Sequence, residues 1–205
     1  ENAGVEKNLY IIANYLAKKK ISIKILTAFP SKKKFDKRIK IISLKTKNNT
    51  IKSRFLKTLI TIFVFLRYFI NKEVLILSFQ SNITAIILGL IFRKKIIVRS
   101  NTSPEKYIKN PFYRIFFKFF FNLADEIIVN SYEFKKRFKK KFSLISSVIY
   151  NPFIPKKIKK ISFNFFKDKK YLKIINVARL TDQKDHLTLL MAVKKLSKFR
   201  KCKLL

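Results

Sequence analysis

The sequence predicts an α/β protein built around a parallel sheet. Short runs of β-branched and other apolar residues alternate along the chain with longer segments of helical periodicity, an order typical of parallel strands joined by helices. One run, Val74–Leu77, is apolar without interruption, as expected of a parallel strand covered on both faces. Polar residues follow several predicted strands, at the edge where α/β sheets bind ligands.

The individual elements follow from this pattern in chain order. Predicted strands are rich in Ile, Val and Leu and cover Ile21–Ala28, Ile39–Leu44, Val74–Leu77, Ile96–Val98, Ile127–Val129, Val148–Tyr150, Lys173–Ala178 and Lys203–Leu205. Predicted helices repeat apolar residues every three or four positions and cover Val5–Lys19, Ser53–Phe69, Ile83–Phe92, Phe112–Leu123, Glu133–Lys141 and Asp185–Ser197. In the fourth helix the repeat forms an aromatic stripe of Phe112, Phe116, Phe119, Phe120 and Leu123.

A domain boundary is predicted shortly after Tyr150. Asn151–Pro155 is stiff and turn-prone, and Lys156–Lys170 is polar and lysine-rich, as expected of a linker. The strand–helix pattern then restarts. We therefore expect a first domain over residues 1–152, a linker over 153–170 and the start of a second domain over 171–205.

The net charge of +37 indicates an affinity for phosphate-bearing partners but does not identify them. A basic protein attracts nucleic acid, anionic lipid head groups and nucleotide sugars alike. The lysines are spread along the whole chain, whereas a nucleic-acid-binding protein tends to cluster them on one face or arm. A position beside an anionic membrane fits the same charge.

Two apolar segments are too interrupted to be predicted as membrane spans. Leu56–Ile70 contains Lys57 and Arg67, and Phe112–Phe121 contains Arg114 and Lys118, whereas a spanning helix needs about 20 predominantly apolar residues. Both segments are expected to form buried or interfacial helices. The opening residues lack the apolar core of a signal peptide.

One segment near the carboxyl end carries the clearest chemical pattern. Ala178–His186 places Arg179 at the end of a predicted strand and Lys184 at the start of a predicted helix. A diphosphate needs fixed donors, which an arginine fork, a lysine and a helix N-terminus can supply. The pair is therefore a candidate diphosphate site, with surface cations of a lysine-rich chain as the alternative.

The same segment resembles family-4 glycosyltransferases. Its residues Ala-Arg-Leu-Thr-Asp-Gln-Lys are similar to the family motif Gly-Arg-Leu-Thr-x-Gln-Lys, with Ala178 in place of glycine. The opening Asn2–Asn8 is similar to the family's Gly-Gly-x-Glu loop, with Ala3 in place of one glycine. Val98–Asn101, Ala124–Ser131 and Val148–Pro152 resemble further family segments in the expected order. The resemblance extends over essentially the whole chain.

The resemblance implies a GT-B fold, in which two Rossmann-like domains face each other across a cleft. This chain would hold the acceptor-side N-terminal domain, with its first strand missing, and the first βα unit of a truncated nucleotide-sugar-binding domain. Arg179, Lys184 and Gly4 would bind the donor diphosphate. Glu6, Arg99 and Asn101 would lie at the acceptor side or cleft.

The implied activity is retaining transfer of a sugar from a nucleotide-diphosphate sugar to a saccharide or lipid-linked acceptor. The pathway expected is synthesis of lipopolysaccharide or other cell-surface polysaccharide, on the inner face of the cytoplasmic membrane. No metal or other cofactor is expected. The resemblance implies that the family's glutamate pair would lie beyond Leu205, so the catalytic residues stay unknown and the 205 residues alone are expected to be inactive.

Three alternatives stay open at this point. The chain could be an inactive fragment of such an enzyme, or a basic nucleic-acid-binding protein without enzymatic activity. For Arg99 and Asn101 the alternative to a functional role is capping of the next helix. The single histidine, His186, and the single cysteine, Cys202, offer no His/Cys metal site. A helix cap or a surface position is expected for His186, and a core position for Cys202.

Overall fold

A computed structural model describes residues 4–29, 34–44, 53–101, 110–153, 170–178 and 180–205. The chain divides after Phe153 into two compact units, Glu1–Phe153 and Ile154–Leu205. The sequence-predicted linker lies almost wholly outside the described residues.

Strands and helices alternate through the described part of the first unit. Its helices are α1 (Gly4–Lys18), α2 (Arg54–Phe69), α3 (Asn82–Ile91), α4 (Pro111–Asn122) and α5 (Tyr132–Phe142). Its strands are β1 (Lys24–Leu26), β2 (Lys40–Ile42), β3 (Ile76–Ser78), β4 (Ile96–Ser100), β5 (Glu126–Val129) and β6 (Ser147–Val148). The prediction of an α/β protein with parallel sheets is confirmed.

All strand pairs among the described residues of this unit are parallel. β3, β4, β5 and β6 form a four-stranded sheet in that order, and β1 pairs with β2 separately. Within the described residues, one helix lies between each neighbouring pair of strands in the larger sheet, the arrangement of a Rossmann-like α/β domain.

Helix ends follow local capping chemistry. The hydroxyl of Ser53 accepts a hydrogen bond from Leu56 N at the start of α2, and Ser131 accepts one from Phe134 N at the start of α5. Asn110 caps α4, with Pro111 at the first helical position, where a missing N–H has no cost. Polar residues before apolar runs therefore set these boundaries.

Several predicted strands are shorter in the structure. The predicted strand Val74–Leu77 begins only at Ile76, and Leu75 is exposed, so the expectation that this run is covered on both faces is wrong. The last predicted strand of the first unit is β6, which ends at Val148 instead of Tyr150.

The core of the first unit lies between the four-stranded sheet and helices α3, α4 and α5. Phe117 and Phe121 of α4 stack with ring centroids 3.9 Å apart, and Phe142 of α5 packs 4.9 Å from Phe117. Ile96, Val98, Ile127 and Val129 form the strand side of this cluster. Aromatic packing of this kind adds to simple burial of area.

The β1–β2 pair has a helix on each face. Ile25 packs with Ala13 and Ala17 of α1, whereas Leu26 borders an apolar slot together with Phe65 of α2. Because neighbouring residues of a strand point to opposite faces, α1 and α2 lie on opposite sides of this pair.

One edge of β1 and one edge of β3 have no partner strand among the described residues. The two edges border the same slot, since Leu26 of β1 and Ile76 of β3 both line it. An unpaired edge leaves N–H and C=O groups available for another strand.

The second unit, in its described residues, is one strand–helix–strand unit. β7 (Leu172–Ile174) and β8 (Cys202–Leu204) pair in parallel and are connected by α6 (His186–Ser197). The predicted strand Lys173–Ala178 is wrong in its second half, because residues after Ile174 leave the strand. A short 3₁₀ turn, Asp182–Lys184, precedes α6.

Candidate functional site

Polar side chains of the first unit gather at the carboxyl ends of β3 and β4. Ser78 ends β3, Arg99 and Ser100 end β4, and Asn101 follows. Ser78, Arg99 and Ser100 are buried. The edge at which a parallel α/β sheet binds ligands is thus lined by hydrogen-bonding groups.

Arg99 is the most buried charged residue of this edge, with 2% of its surface exposed. Its Nη2 donates to the carbonyl oxygen of Ile149 at 2.8 Å and to Asn151 Oδ1 at 3.1 Å. Burial lowers the pKa of the guanidinium from its ordinary value, since desolvation disfavours the charged form. The side chain reaches past β5 and connects the ends of β4 and β6.

Asn151 also joins α1 to this edge. Asn8, a buried residue of α1, donates from Nδ2 to Asn151 Oδ1 at 2.7 Å. One amide oxygen therefore accepts from both Asn8 and Arg99. This fixes the amino-terminal half of α1 relative to β4 and to the segment after β6.

Asn101 extends the network towards β3. Its Nδ2 donates to the carbonyl oxygen of Phe79 at 3.2 Å, and Asn82 Nδ2 donates to the carbonyl oxygen of Arg99 at the same distance. Ser78 donates to Asn82 Oδ1 at 2.8 Å. Asn101 therefore spans two strand ends, whereas the capping alternative would have it serve a following helix.

Two buried polar atoms of this network lack a hydrogen-bond partner within the part of the chain that the structure describes. They are Arg99 Nε and Asn101 Oδ1. A buried polar atom without a partner is costly, so these two atoms retain hydrogen-bonding capacity for water or a ligand at this edge.

Gly4 and Glu6 lie in the first turn of α1. No side chain clashes with a Cβ built on Gly4, so the space beside it is open among the described residues. Glu6 is exposed in the same turn. Both residues thus share a helix with Asn8, but no described contact joins either of them to Arg99 or Asn101.

The candidate diphosphate pair lies in the second unit and is only partly visible. Arg179 lies outside the described residues, so nothing tests its predicted contact. Lys184 is exposed at the last position of the 3₁₀ turn, and its N–H donates to the carbonyl oxygen of Thr181 at 2.9 Å. Lys184 therefore precedes α6 instead of starting it.

The start of α6 is capped by a carboxylate. Asp185 adopts a left-handed conformation with φ of 46°, and its Oδ1 accepts from Thr188 N at 3.2 Å. Asp185, in this left-handed conformation, therefore joins the turn containing Lys184 to α6. A positive φ at a residue other than glycine is uncommon and indicates a specific local geometry.

His186 is the first residue of α6 and lies beside the end of β7. Asn176 Nδ2 lies 3.1 Å from His186 Nδ1. The Asn176 NH₂ group can only donate, so His186 Nδ1 is the acceptor. When the imidazole ring is neutral, its proton is then on Nε2. Of the two roles expected for His186, the helix cap is provided instead by Asp185, and the side chain is partly buried rather than fully at the surface. Cys202 is only partly buried in β8.

Metal binding has no candidate site among the residues that the structure describes: no three His, Cys, Asp or Glu side chains come together there.

Sequence reasoning missed Asn8 and Asn151 as a pair. The sequence offered one signal, because Asn8 is a polar residue within the apolar pattern of α1, four positions before Ile12. Their pairing across 143 positions cannot be read from local periodicity.

Comparison with known proteins identifies the first unit. A family model described as Glycosyltransferase Family 4 matches residues 2–156, which includes every strand of the first unit and the polar edge around Arg99. No curated protein matches the chain. The match ends before Arg179 and Lys184, so their diphosphate role stays a prediction. Since the match covers most of its 205 residues, the chain belongs to glycosyltransferase family 4.

Proposed function

We propose that this protein transfers a sugar from a nucleotide-diphosphate donor to a saccharide or lipid-linked acceptor, with retention of anomeric configuration and without a metal ion. The family match over residues 2–156 carries the proposal, because it makes the first unit a glycosyltransferase domain. A sugar donor and an acceptor follow from that family in general; the donor and acceptor classes are proposed here.

The donor end of the proposal rests on the segment around Lys184. A glycosyl bond breaks through an oxocarbenium-like transition state, and the departing diphosphate gains negative charge. Arg179 and Lys184 are the cations proposed to stabilise that charge, as preorganised donors do in other enzymes. Support comes from the exposed position of Lys184 on a short turn before α6.

For the first unit, the proposed role is acceptor binding at the carboxyl edge of its sheet. Asn101 and Glu6 are the residues proposed to face the acceptor, together with Gly4 towards the donor. Arg99 is proposed as a positioning residue, because its guanidinium is engaged by Ile149 and Asn151. The proposed location is the inner face of the cytoplasmic membrane, where acceptors for lipopolysaccharide or other surface polysaccharides are lipid-linked.

A transfer assay tests the proposed function. The product of the complete reading frame is mixed with a panel of labelled nucleotide sugars and lipid-linked acceptors, with and without a chelator. We expect transfer that survives chelation and a product with the anomeric configuration of the donor. Inverted product would contradict retention, loss on chelation would contradict the metal-free proposal, and no transfer with any pair would contradict the activity.

We further expect no turnover from the 205 residues alone. Among its described residues the second unit shows one strand–helix–strand unit, which is less than the nucleotide-sugar-binding domain that the proposal requires. The same assay on the isolated 205-residue chain checks this, and measurable turnover would contradict it.

A further inference from the structure

Most of the stripe predicted for α4 faces solvent, whereas Phe120 is partly buried against the core. Phe112 is 81% exposed, and Ile115, Phe116 and Phe119 are exposed with it. At 100° per residue these four positions lie on one side of the helix, opposite the buried Phe117 and Phe121. The helix is thus apolar towards the core and apolar towards solvent.

α2 has the same construction. Phe55, Leu59, Phe63 and Leu66 are all exposed and recur at the spacing of one helix face. Val64, Phe65 and Phe69 supply the buried side of the helix, so this exposed stripe is additional to its core contacts.

α3 lies between these two helices. Phe65 of α2 approaches Phe92, just after α3, with ring centroids 5.9 Å apart, and α3 packs against α4. Ile87, Leu90 and Ile91 of α3 are exposed. The outward stripes of α2, α3 and α4 therefore belong to one layer of helices; we call them the outward apolar face.

The charged residues of these three helices are all positive. Helices α2, α3 and α4 contain no aspartate or glutamate, whereas Lys57, Arg67, Arg114 and Lys118 lie on α2 and α4. Lys118 also borders an open groove with Ile115 and Phe119. Aromatic residues beside arginine and lysine are typical of helices that lie in the head-group region of a bilayer.

The charge also favours a membrane over a second copy of the chain. Two chains of net charge +37 repel each other, and a high net charge keeps proteins monomeric. An anionic bilayer attracts the same charge. No helix within the described ranges is long and apolar enough to cross a bilayer, and α4, at 12 residues, can lie along its surface.

We propose that the outward apolar face of α2, α3 and α4 is the surface by which this protein docks on an anionic bilayer. Phe112, Phe116 and Phe119 enter the interface between head groups and acyl chains, and Lys118, which flanks this stripe, contacts lipid phosphates. The inference rests on the proposed membrane location and assigns the surface that produces it.

Flotation with lipid vesicles tests the proposal on the full 205-residue chain. The probes are phosphatidylcholine vesicles with and without about 30% phosphatidylglycerol, an anionic content at which basic residues gain measurable attraction. We expect flotation only with the anionic vesicles, and its loss at high salt because of screening. Equal flotation with both vesicle types would overturn the proposal.

Matched variants locate the surface. Phe112→Ser/Phe116→Ser should weaken binding about tenfold or more, because two large apolar side chains no longer enter the bilayer. Lys118→Glu should weaken it about 25-fold, since each unit of positive charge contributes about fivefold and the reversal changes the charge by two units. Lys7→Glu on α1, the same charge change on the opposite face of the β1–β2 pair, should leave binding within about twofold.

Each alternative has its own outcome. Wild-type flotation of the double phenylalanine variant, with an unchanged thermal midpoint, would show that the outward apolar face is not the contact. Equal losses for Lys118→Glu and Lys7→Glu would show attraction by net charge alone. A dimer that these substitutions dissociate would assign the face to a second copy. The assay needs neither donor nor acceptor, so its failure is separable from failure of the transferase proposal.

Discussion

Arg99 illustrates at the scale of one residue why a cation at a strand end need not contact a substrate. The sequence places it where ligands bind in α/β sheets, but its side chain is covered and donates to Ile149 and Asn151. Local sequence could not predict those contacts, because the partners lie 50 and 52 positions away. Its structural role therefore yields a stability prediction.

We expect Arg99→Ala to lower the free energy of unfolding by about 2–4 kcal/mol, since a buried side chain is lost, the carbonyl oxygen of Ile149 loses the hydrogen bond from Arg99, and Asn151 Oδ1 keeps only the one from Asn8. Urea unfolding of the 205-residue chain measures it. Arg114→Ala, an exposed arginine on α4, is the matched control and should change stability by less than about 0.5 kcal/mol. Equal effects of the two substitutions would contradict the role assigned to Arg99.

Asp36 makes the stability of the first unit depend on pH under acidic conditions. Hydrogen bonds from the Arg38 side chain at 2.9 and 2.8 Å, and from its backbone N–H at 3.0 Å, hold the pKa of Asp36 well below its usual range. The Asp36 N–H also donates to Asn14 Oδ1 at 2.7 Å, which joins this loop to α1.

A carboxyl group with a lowered folded pKa stabilises the fold above its unfolded pKa of about 3.9. That contribution is lost as the pH falls through the folded value. We expect Asp36→Asn to flatten the fall in stability below about pH 4, measured by urea unfolding over a pH series. Arg38→Ala should flatten it similarly; an unchanged slope in both variants would contradict the pairing.

At the scale of elements, α4 shows that the apolar repeat can locate a helix without predicting which of its sides is buried. The apolar repeat located the helix within one or two residues, but both of its sides are aromatic. The predicted stripe through Phe112 and Phe119 faces outward, and the core side holds Phe117 and Phe121. Only packing against α5, whose Phe142 meets Phe117, decides which side is covered.

Neighbouring substitutions test this orientation. Phe117, 1% exposed, should cost about 3–5 kcal/mol on replacement by alanine. Phe116, 47% exposed, makes a ring contact with Phe120 and should cost less than about 1.5 kcal/mol. Unfolding free energies of the two variants check the difference, and a reversed order would show that α4 is turned the other way.

The unpaired edges of β1 and β3 leave backbone groups with which a further strand can pair. The strand expected ahead of α1 stays a prediction. Thr27 N donates to Ile42 and Lys40 N donates to Ile23, so the alternate residues Lys24 and Leu26 direct their backbone groups to the open edge. We expect their amides to exchange with solvent faster than that of Ile25. Equally slow exchange in the 205-residue chain would contradict an open edge.

At the scale of the whole molecule, the sequence was sufficient to predict the α/β class, the parallel strands and the family. These features depend on patterns repeated over many residues. The site was less accessible, because it depends on single long-range contacts such as Asn8 with Asn151. The composition gave the net charge but not where the charges lie in the structure. Only the fold shows that helices α2, α3 and α4, which contain no aspartate or glutamate, form one surface.

The central claim is that this glycosyltransferase uses a nucleotide-diphosphate sugar held by Arg179 and Lys184. Steady-state kinetics of the complete gene product tests it most directly, with Arg179→Ala, Lys184→Ala and, as the matched control on α6, Lys194→Ala. We expect each of the first two to lower turnover about a hundredfold, together with weaker donor binding, because leaving-group stabilisation is lost. Arg179→Lys should remain impaired, since lysine lacks the bidentate fork. Turnover of Arg179→Ala equal to that of Lys194→Ala would contradict the claim.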